Sequence, residues 1–212
     1  MFKLFNLFLS TFLFLLASAN VSFAQAGQDE TKIKRILQER VDKYKKSPGI
    51  VVGIINDQGS KVISYSKEGN KADGDTLFEI GSITKVFTTL LLADMAQQGE
   101  VNLNEPIGKF LPASVEVPSK NNQEITLLNL ATHTSGLPRM PNNFAPEDED
   151  NPYADYTVEQ MYQFLSNYPL TRDVGAEYEY SNLGAGLLGH ILALKAETDY
   201  ETLVLKSICE PA

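Results

Sequence analysis

The 212-residue chain has few of the side chains that bind metals or form disulfides. It contains one cysteine, Cys209, two histidines, His133 and His190, and no tryptophan. A disulfide framework needs paired cysteines, and a structural cysteine/histidine zinc site needs four such ligands, so the sequence excludes both. Any chemistry is therefore expected to proceed without a metal ion.

Positive charge is also scarce. The 18 lysines and arginines face 27 aspartates and glutamates, which gives a formal net charge of -9. Because no basic stripe offers counterion exchange with phosphates, nucleic acids are excluded as partners. The acidic stretch from Pro146 to Asp155 predicts a solvated loop. A hydrophobic content of 43% is typical of a folded globular chain.

The N-terminus, MFKLFNLFLSTFLFLLASANVSFAQAGQ, combines one lysine with a long apolar stretch and then small residues. This pattern predicts a secretory signal peptide over residues 1–24, cleaved after Ala24 or after Ala26. An uncleaved membrane anchor is the alternative, because the apolar stretch is long. We expect the mature chain, residues 25–212, to be secreted or periplasmic and free of the membrane after cleavage.

Periodicity predicts helices around a β-hairpin. An amphipathic helix follows Thr31, and a β-branched run over residues 50–55 pairs with residues 61–66 as a hairpin whose first strand is buried. Residues 86–95 form a helix that is apolar almost all round, as expected in the middle of a domain. Two stretches, 157–160 and 198–201, have the form of helix capping boxes.

The apolar first strand of the predicted hairpin raises the question of which strands and other elements pack against it. A strand as apolar as residues 50–55 needs neighbours on both edges, and no later segment predicts a convincing partner strand. Either the helices provide all of the cover, or the chain stops before its sheet is complete. We favour the second interpretation.

Serine and lysine stand three residues apart at two places. Ser64 and Lys67 lie on the second predicted strand, where positions three apart point to opposite faces. Ser82 and Lys85 lie on a helix, where such positions share a face, so the amine can reach the hydroxyl. A serine becomes a nucleophile when a base accepts its proton, and the helix N-terminus favours a developing oxyanion. The alternative is that Ser82 only caps the helix while Lys85 points to solvent.

A second candidate group follows in EYEYSNLGAGLLGH. Tyr180 and Asn182 are two apart on a predicted loop, so a phenol and an amide can face one cleft. A phenol close to a lysine cation titrates at lower pH and can exchange protons. His133 is predicted to be a structural residue at a helix end, and His190 a packed helix residue.

Together these motifs resemble the serine β-lactamase and penicillin-recognising D-alanyl-D-alanine peptidase superfamily, in particular its class C β-lactamase and related esterase branch. Ser82–Lys85 matches the first motif of that branch, Ser-x-x-Lys, and Tyr180–Asn182 matches the second, Tyr-x-Asn. The stretch ITLLNLATHTSGLP, residues 125–138, is similar to one that lies between them. A third motif, Lys-Thr-Gly or a histidine-containing equivalent, is absent from the chain.

The resemblance implies an α/β fold of the α+β type, with an antiparallel sheet flanked by helices and a mainly helical region. It implies that residues 25–212 are the N-terminal part of a longer domain, since the third motif and further strands are missing. Ser82 would attack a β-lactam, a D-alanyl peptide or an ester and form an acyl-serine. Lys85 would accept its proton, Tyr180 would deliver one to the leaving group, and Asn182 would orient Lys85 and the substrate amide.

The implied reaction needs neither a metal nor an organic cofactor, and its partner is a small-molecule or peptidoglycan-derived substrate. The alternative is a catalytically defective remnant, or a non-catalytic cell-wall binding protein of the same fold. The missing third motif motivates that alternative. The sequence predicts no oligomeric state, and it does not separate the β-lactamase, peptidase and esterase activities.

Overall fold

The structure, a computed structural model, describes residues 29–57 and 59–211. The chain divides into two compact units, one ending at Glu79 and one beginning at Ile80. The predicted signal peptide, residues 1–24, lies outside the described residues and stays a prediction. Within the described part, every helix is too short or too polar to cross a bilayer.

The first unit pairs a helix with a hairpin. Helix α1, described over residues 29–38, continues as a π-helical turn, Glu39–Lys43. Strands β1 (Gly49–Asn56) and β2 (Gly59–Ser66) are antiparallel, as predicted. Two contacts join the helical segment to β2: an ion pair between Glu30 and Lys61, and a hydrogen bond from the Tyr65 hydroxyl to Asp42 of 2.7 Å. Among the residues of this unit that the structure describes, the buried side chains are Leu37, Val41 and Ile63.

The prediction that β1 is a buried strand is wrong for the described part of the chain. Most residues of β1 are half-buried, and Ile55 near its end is 86% exposed. The reason is that β1 has a single partner here, because its sheet contains two strands among the described residues. Completion of the sheet by further strands stays a prediction.

The second unit is mainly helical. A 3-10 turn, Gly81–Ile83, leads into α2 (Thr84–Gln97), and a further 3-10 turn spans Ile107–Lys109. The strands β3 and β4 form a two-residue ribbon, and four helices follow. The bounds are β3 Ser119–Lys120, β4 Gln123–Glu124, α3 Leu127–Ala131, α4 Val158–Asn167, α5 Asn182–Lys195 and α6 Tyr200–Val204, with a π-helical turn at Leu205–Cys209.

Helix α5 lies at the centre of the second unit. It contacts α2, α3 and α6, and its residues Leu187, Ile191 and Leu192 are fully buried. This helix is apolar on nearly every face, as expected for an element that is packed all round. The remaining core side chains are Leu91, Leu92, Met95, Val101, Ile107, Leu111, Ile125, Leu127, Leu130, Leu137, Met161, Phe164, Leu165, Leu170, Leu183, Leu188 and Leu203.

The expectation that α2 is buried on all sides is wrong for the described residues. Leu91, Leu92 and Met95 are buried in the core. Val86 and Leu90, which lie about one turn apart on another face, are 62% and 49% exposed. The helix therefore contributes one face to the core of the second unit. Its end at Gln97, followed by Gly99 with a φ of 76°, agrees with the predicted stop.

The two predicted capping boxes differ in outcome. Thr157 caps α4 as predicted: its hydroxyl accepts from the Gln160 N–H, and the Gln160 side chain accepts from the Thr157 N–H. The box predicted at Thr198 is wrong by one residue. Asp199 is the cap of α6 and accepts from the Thr202 N–H at 2.8 Å. A carboxylate at the helix N-terminus is favoured over a hydroxyl by the helix dipole.

The Thr157 cap provides a stability test. Thr157→Ala is expected to lower the free energy of unfolding by about 1 kcal/mol, because the capping box loses its hydroxyl acceptor for a backbone N–H. The matched control is Thr171→Ala, since Thr171 is exposed and its hydroxyl bonds to no described residue. Denaturant melts of both variants measure the difference, and equal midpoints would contradict the assignment.

Candidate active site

Ser82 lies in the 3-10 turn that precedes α2. Gly81 immediately before it has a φ of 52°, a backbone conformation that favours glycine, and this turn exposes the serine side chain. Neither the turn nor α2 has a side-chain cap hydrogen bond. The alternative in which Ser82 acts as a helix cap is therefore wrong. Its backbone N–H lies in a first turn, where such groups have no intrahelical acceptor.

Two polar groups meet at the Ser82 hydroxyl. Lys85 Nζ donates a hydrogen bond of 3.3 Å to Ser82 Oγ, which is the contact that the helical spacing predicts. The Tyr180 hydroxyl donates to the same oxygen at 2.7 Å. Lys85 Nζ also lies 4.9 Å from the centre of the Tyr180 ring. Ser82, Lys85 and Tyr180 thus form one cluster within the second unit.

The electrostatics of the cluster act on Tyr180. The Lys85 ammonium beside the phenol lowers the pKa of Tyr180 below its usual value of 10.0, and the Ser82 hydrogen bond and the charge of Arg139 act in the same direction. Desolvation of the phenol opposes the shift. A phenol with a lowered pKa is more often ionised near neutral pH, and it can then accept a proton.

His133 holds the Tyr180 segment in place. Its ring packs against the Tyr180 ring with centres 4.7 Å apart, and its Nδ1 accepts from the Ser181 N–H at 3.1 Å. Burial, with a smaller effect of the Lys85 charge, lowers the pKa of His133 and so favours the neutral ring, in which Nδ1 can accept the Ser181 hydrogen bond. This agrees with the prediction of a structural histidine at a helix end, because the residue follows α3 closely.

Ser181 is a buried polar residue whose role the sequence analysis missed. Its hydroxyl caps α5 by accepting from the Gly184 N–H at 2.8 Å, and it donates to the Pro138 carbonyl at 2.7 Å. These bonds join the Tyr180 segment to the loop after α3. The signal was present, since a serine directly before a helical run is typical of an N-cap.

Arg139 was also missed. Its guanidinium carbon lies 5.1 Å from the centre of the Tyr180 ring, and its carbonyl accepts from the Asn182 N–H at 3.0 Å. No local pattern distinguishes this arginine from a solvated surface residue. Its place beside Tyr180 depends on the loop that brings residues 138 and 181 together.

The remaining candidates lie near the cluster or outside it. Asn182 begins α5, and its amide nitrogen donates to Met140 Sδ at 3.6 Å and to the Tyr153 hydroxyl at 3.4 Å, so within the described structure it does not bond to Lys85. His190 is a packed residue of α5, as predicted, and its Nε2 lies 2.6 Å from the Tyr162 hydroxyl.

The second Ser-x-x-Lys copy lies in a strand, as predicted. Ser64 belongs to β2, opposite Val51 of β1, and Lys67 follows the end of the strand. The two side chains form no hydrogen bond with each other in the described part of the chain. The helical copy is therefore the one in which serine and lysine are in contact.

The chain belongs to the β-lactamase family, whose profile matches residues 33–212. The fold has the class that the sequence predicts, since a solved β-lactamase/D-alanine carboxypeptidase from Yersinia pestis superposes with a TM-score of 0.75 and 30% identity. The alignment covers 86% of this chain and 53% of that one.

Two sequence relatives are similar over nearly the whole chain. The D-alanyl-D-alanine-carboxypeptidase/endopeptidase AmpH of Escherichia coli K12 is 32% identical over 93% of this chain and 53% of its own length. A β-lactamase of Providencia stuartii is 28% identical over 96% of this chain and 52% of its own length. The chain therefore spans about half the length of these relatives.

Proposed function

We propose that the protein is a serine hydrolase that acts through a covalent acyl-serine intermediate on Ser82. The observation that supports this most strongly is that Ser82 Oγ accepts hydrogen bonds from both Lys85 Nζ and the Tyr180 hydroxyl. A serine that only caps a helix, or that faces solvent, has no need of two proton-transfer groups. An activated nucleophile requires at least one.

In the proposed acylation, Ser82 Oγ bonds to the carbonyl carbon of the substrate, and its proton passes to Lys85 Nζ, which reacts in its uncharged amine form and becomes an ammonium. The carbonyl oxygen becomes an oxyanion, which the Ser82 N–H in the 3-10 turn before α2 stabilises. The bond between the carbonyl carbon and the leaving group then breaks, and Tyr180 delivers a proton to the leaving nitrogen or oxygen. The product of this half-reaction is an ester of Ser82.

In the proposed deacylation, a water molecule attacks the ester carbonyl and gives its proton to Tyr180. The bond to Ser82 Oγ breaks, the serine regains its proton from the Lys85 ammonium, and the acid is released. The lowered pKa of Tyr180 suits both steps, because the group must gain and lose a proton in each cycle. Asn182, at the start of α5, is proposed to orient the substrate amide.

The proposed substrates are β-lactams, D-alanyl peptides and esters. The names of the relatives support the first two, since AmpH is a carboxypeptidase/endopeptidase for D-alanyl-D-alanine and the Providencia protein is a β-lactamase. We further propose that the protein acts outside the cytoplasm, in the periplasm or after secretion. The apolar N-terminal stretch with its small-residue cleavage sites supports this location.

The test is covalent labelling of the intact protein with benzylpenicillin, followed by mass spectrometry. A β-lactam ring opens without losing a fragment, so we expect a mass increase equal to the whole drug. The label should map to the tryptic peptide of residues 72–85, in which Ser82 is the only serine. Release of D-alanine from an acyl-D-alanyl-D-alanine peptide, and hydrolysis of a simple ester, then separate the three activities.

The same experiment addresses the non-catalytic alternative. A folded protein that binds peptidoglycan fragments but forms no adduct with any of the three substrate classes would contradict the proposal. It would favour a cell-wall binding protein or a defective remnant of the same fold. An adduct that forms but does not hydrolyse would support the acylation step and contradict the deacylation step.

A further inference from the structure

Arg139 is a cation beside the candidate nucleophile that lacks an acidic partner among the described residues. The ion pairs of that part of the chain involve other cations, and one of them joins Arg172 to Glu179. The Arg139 guanidinium is exposed and contacts the Tyr180 ring, whose hydroxyl bonds to Ser82.

The backbone beneath Arg139 is fixed. Its carbonyl accepts from the N–H groups of Asn182 and Leu183, and the preceding residue, Pro138, accepts from the buried Ser181 hydroxyl. The side chain leaves this anchored point and lies over an aromatic face, where a cation is attracted by the ring. The guanidinium is therefore held next to the cluster while its N–H groups stay available.

We propose that Arg139 binds a carboxylate of the substrate and so selects anionic acyl compounds over neutral esters. The inference rests on the proposed function, and it names the substrate class of that same site. A guanidinium presents paired N–H donors that match the two oxygens of a carboxylate, and it stays charged at every relevant pH. β-Lactams and D-alanyl peptides have such a carboxylate, whereas a simple ester does not.

The experiment compares benzylpenicillin with its methyl ester, which keeps the β-lactam ring but lacks the negative charge. Acylation rates of the intact protein are measured by mass spectrometry for wild type, Arg139→Gln and Arg139→Lys. We expect Arg139→Gln to lower the ratio of acid rate to ester rate about tenfold to a hundredfold, as for loss of a hydrogen-bonded charge pair. The ratio for Arg139→Lys should lie between those of wild type and Arg139→Gln, since lysine keeps the charge but lacks the paired donors.

The control is Arg35→Gln, which removes the same charge from an exposed position on α1. The ratio of acid rate to ester rate for this control should equal that of wild type. An unchanged ratio in Arg139→Gln would overturn the inference, as would an equal loss with acid and ester, which would mean that Arg139 acts only through Tyr180. If wild type is acylated by neither compound, the proposed function itself fails. Acylation by the ester that Ser82→Ala abolishes supports that function whatever the ratio.

Discussion

Replacement of Ser82 by alanine is expected to abolish covalent labelling of the intact protein by a fluorescent penicillin. The acyl group has nowhere else to bond, because Ser82 Oγ is the atom on which Lys85 and Tyr180 converge. Loss of the nucleophile of a serine hydrolase lowers turnover on the order of 10⁶-fold. Gel fluorescence after incubation and washing measures the effect, with a thermal melt to show that the variant is folded.

The matched control for this experiment is Ser64→Ala. Ser64 stands in the same Ser-x-x-Lys pattern, but it lies in strand β2 and has no hydrogen bond to Lys67 in the described structure. Labelling of this variant should equal that of wild type. Retention of the label in Ser82→Ala would contradict the assignment of the nucleophile, and loss of the label in Ser64→Ala alone would assign it to the hairpin.

The contact between Ser82 and Lys85 could be predicted from the sequence because it is local. Residues three apart on a helix share a face, so recognition of the apolar run after Lys85 was sufficient. The same rule separates the two Ser-x-x-Lys copies, since the strand copy cannot form the contact. Local periodicity also predicted the hairpin and the Thr157 cap, which depend on residues close together in the chain.

The contact between Tyr180 and Ser82 is different, because 98 residues separate the two. No periodicity reaches that far, and the expectation came from the resemblance of two motifs to a family. Arg139 shows the limit of that approach, since neither a motif nor a local pattern placed it beside Tyr180. Its position depends on the bond between the Ser181 hydroxyl and the Pro138 carbonyl, which is a tertiary contact.

Burial was harder to predict than element type. The apolar runs of β1 and α2 correctly predicted a strand and a helix, but Ile55, Val86 and Leu90 are exposed in the described residues. An apolar side chain indicates that burial is favourable, yet it does not specify which element provides the cover. The error at Thr198 is of another kind. Two adjacent residues could both cap a helix, and only the backbone path decides between them.

Tyr180→Phe is expected to lower turnover about 10²-fold to 10⁴-fold, the usual contribution of one acid–base group. Phenylalanine keeps the ring, so packing against His133 and the two cations is retained while the hydroxyl at 2.7 Å from Ser82 is lost. The matched control is Tyr178→Phe. Tyr178 is 68% exposed and also touches His133, but its hydroxyl contacts no described residue of the cluster.

The pH dependence of kcat/KM separates a chemical role of Tyr180 from a structural one. The Lys85 ammonium lowers the pKa of Tyr180, so the phenolate forms at a lower pH than in a free tyrosine. Because Tyr180 delivers a proton during acylation, the acylation rate should fall as pH rises through this lowered pKa, and the falling limb should move to higher pH when Arg139→Gln removes one of the cations. His133 contacts the same ring, but its pKa is lowered below 6.5. Any change in rate that its titration causes therefore occurs at acidic pH, away from the limb of Tyr180. The falling limb attributed to Tyr180 should vanish in Tyr180→Phe and persist in Tyr178→Phe; its survival in the first variant would exclude the phenol as the proton donor.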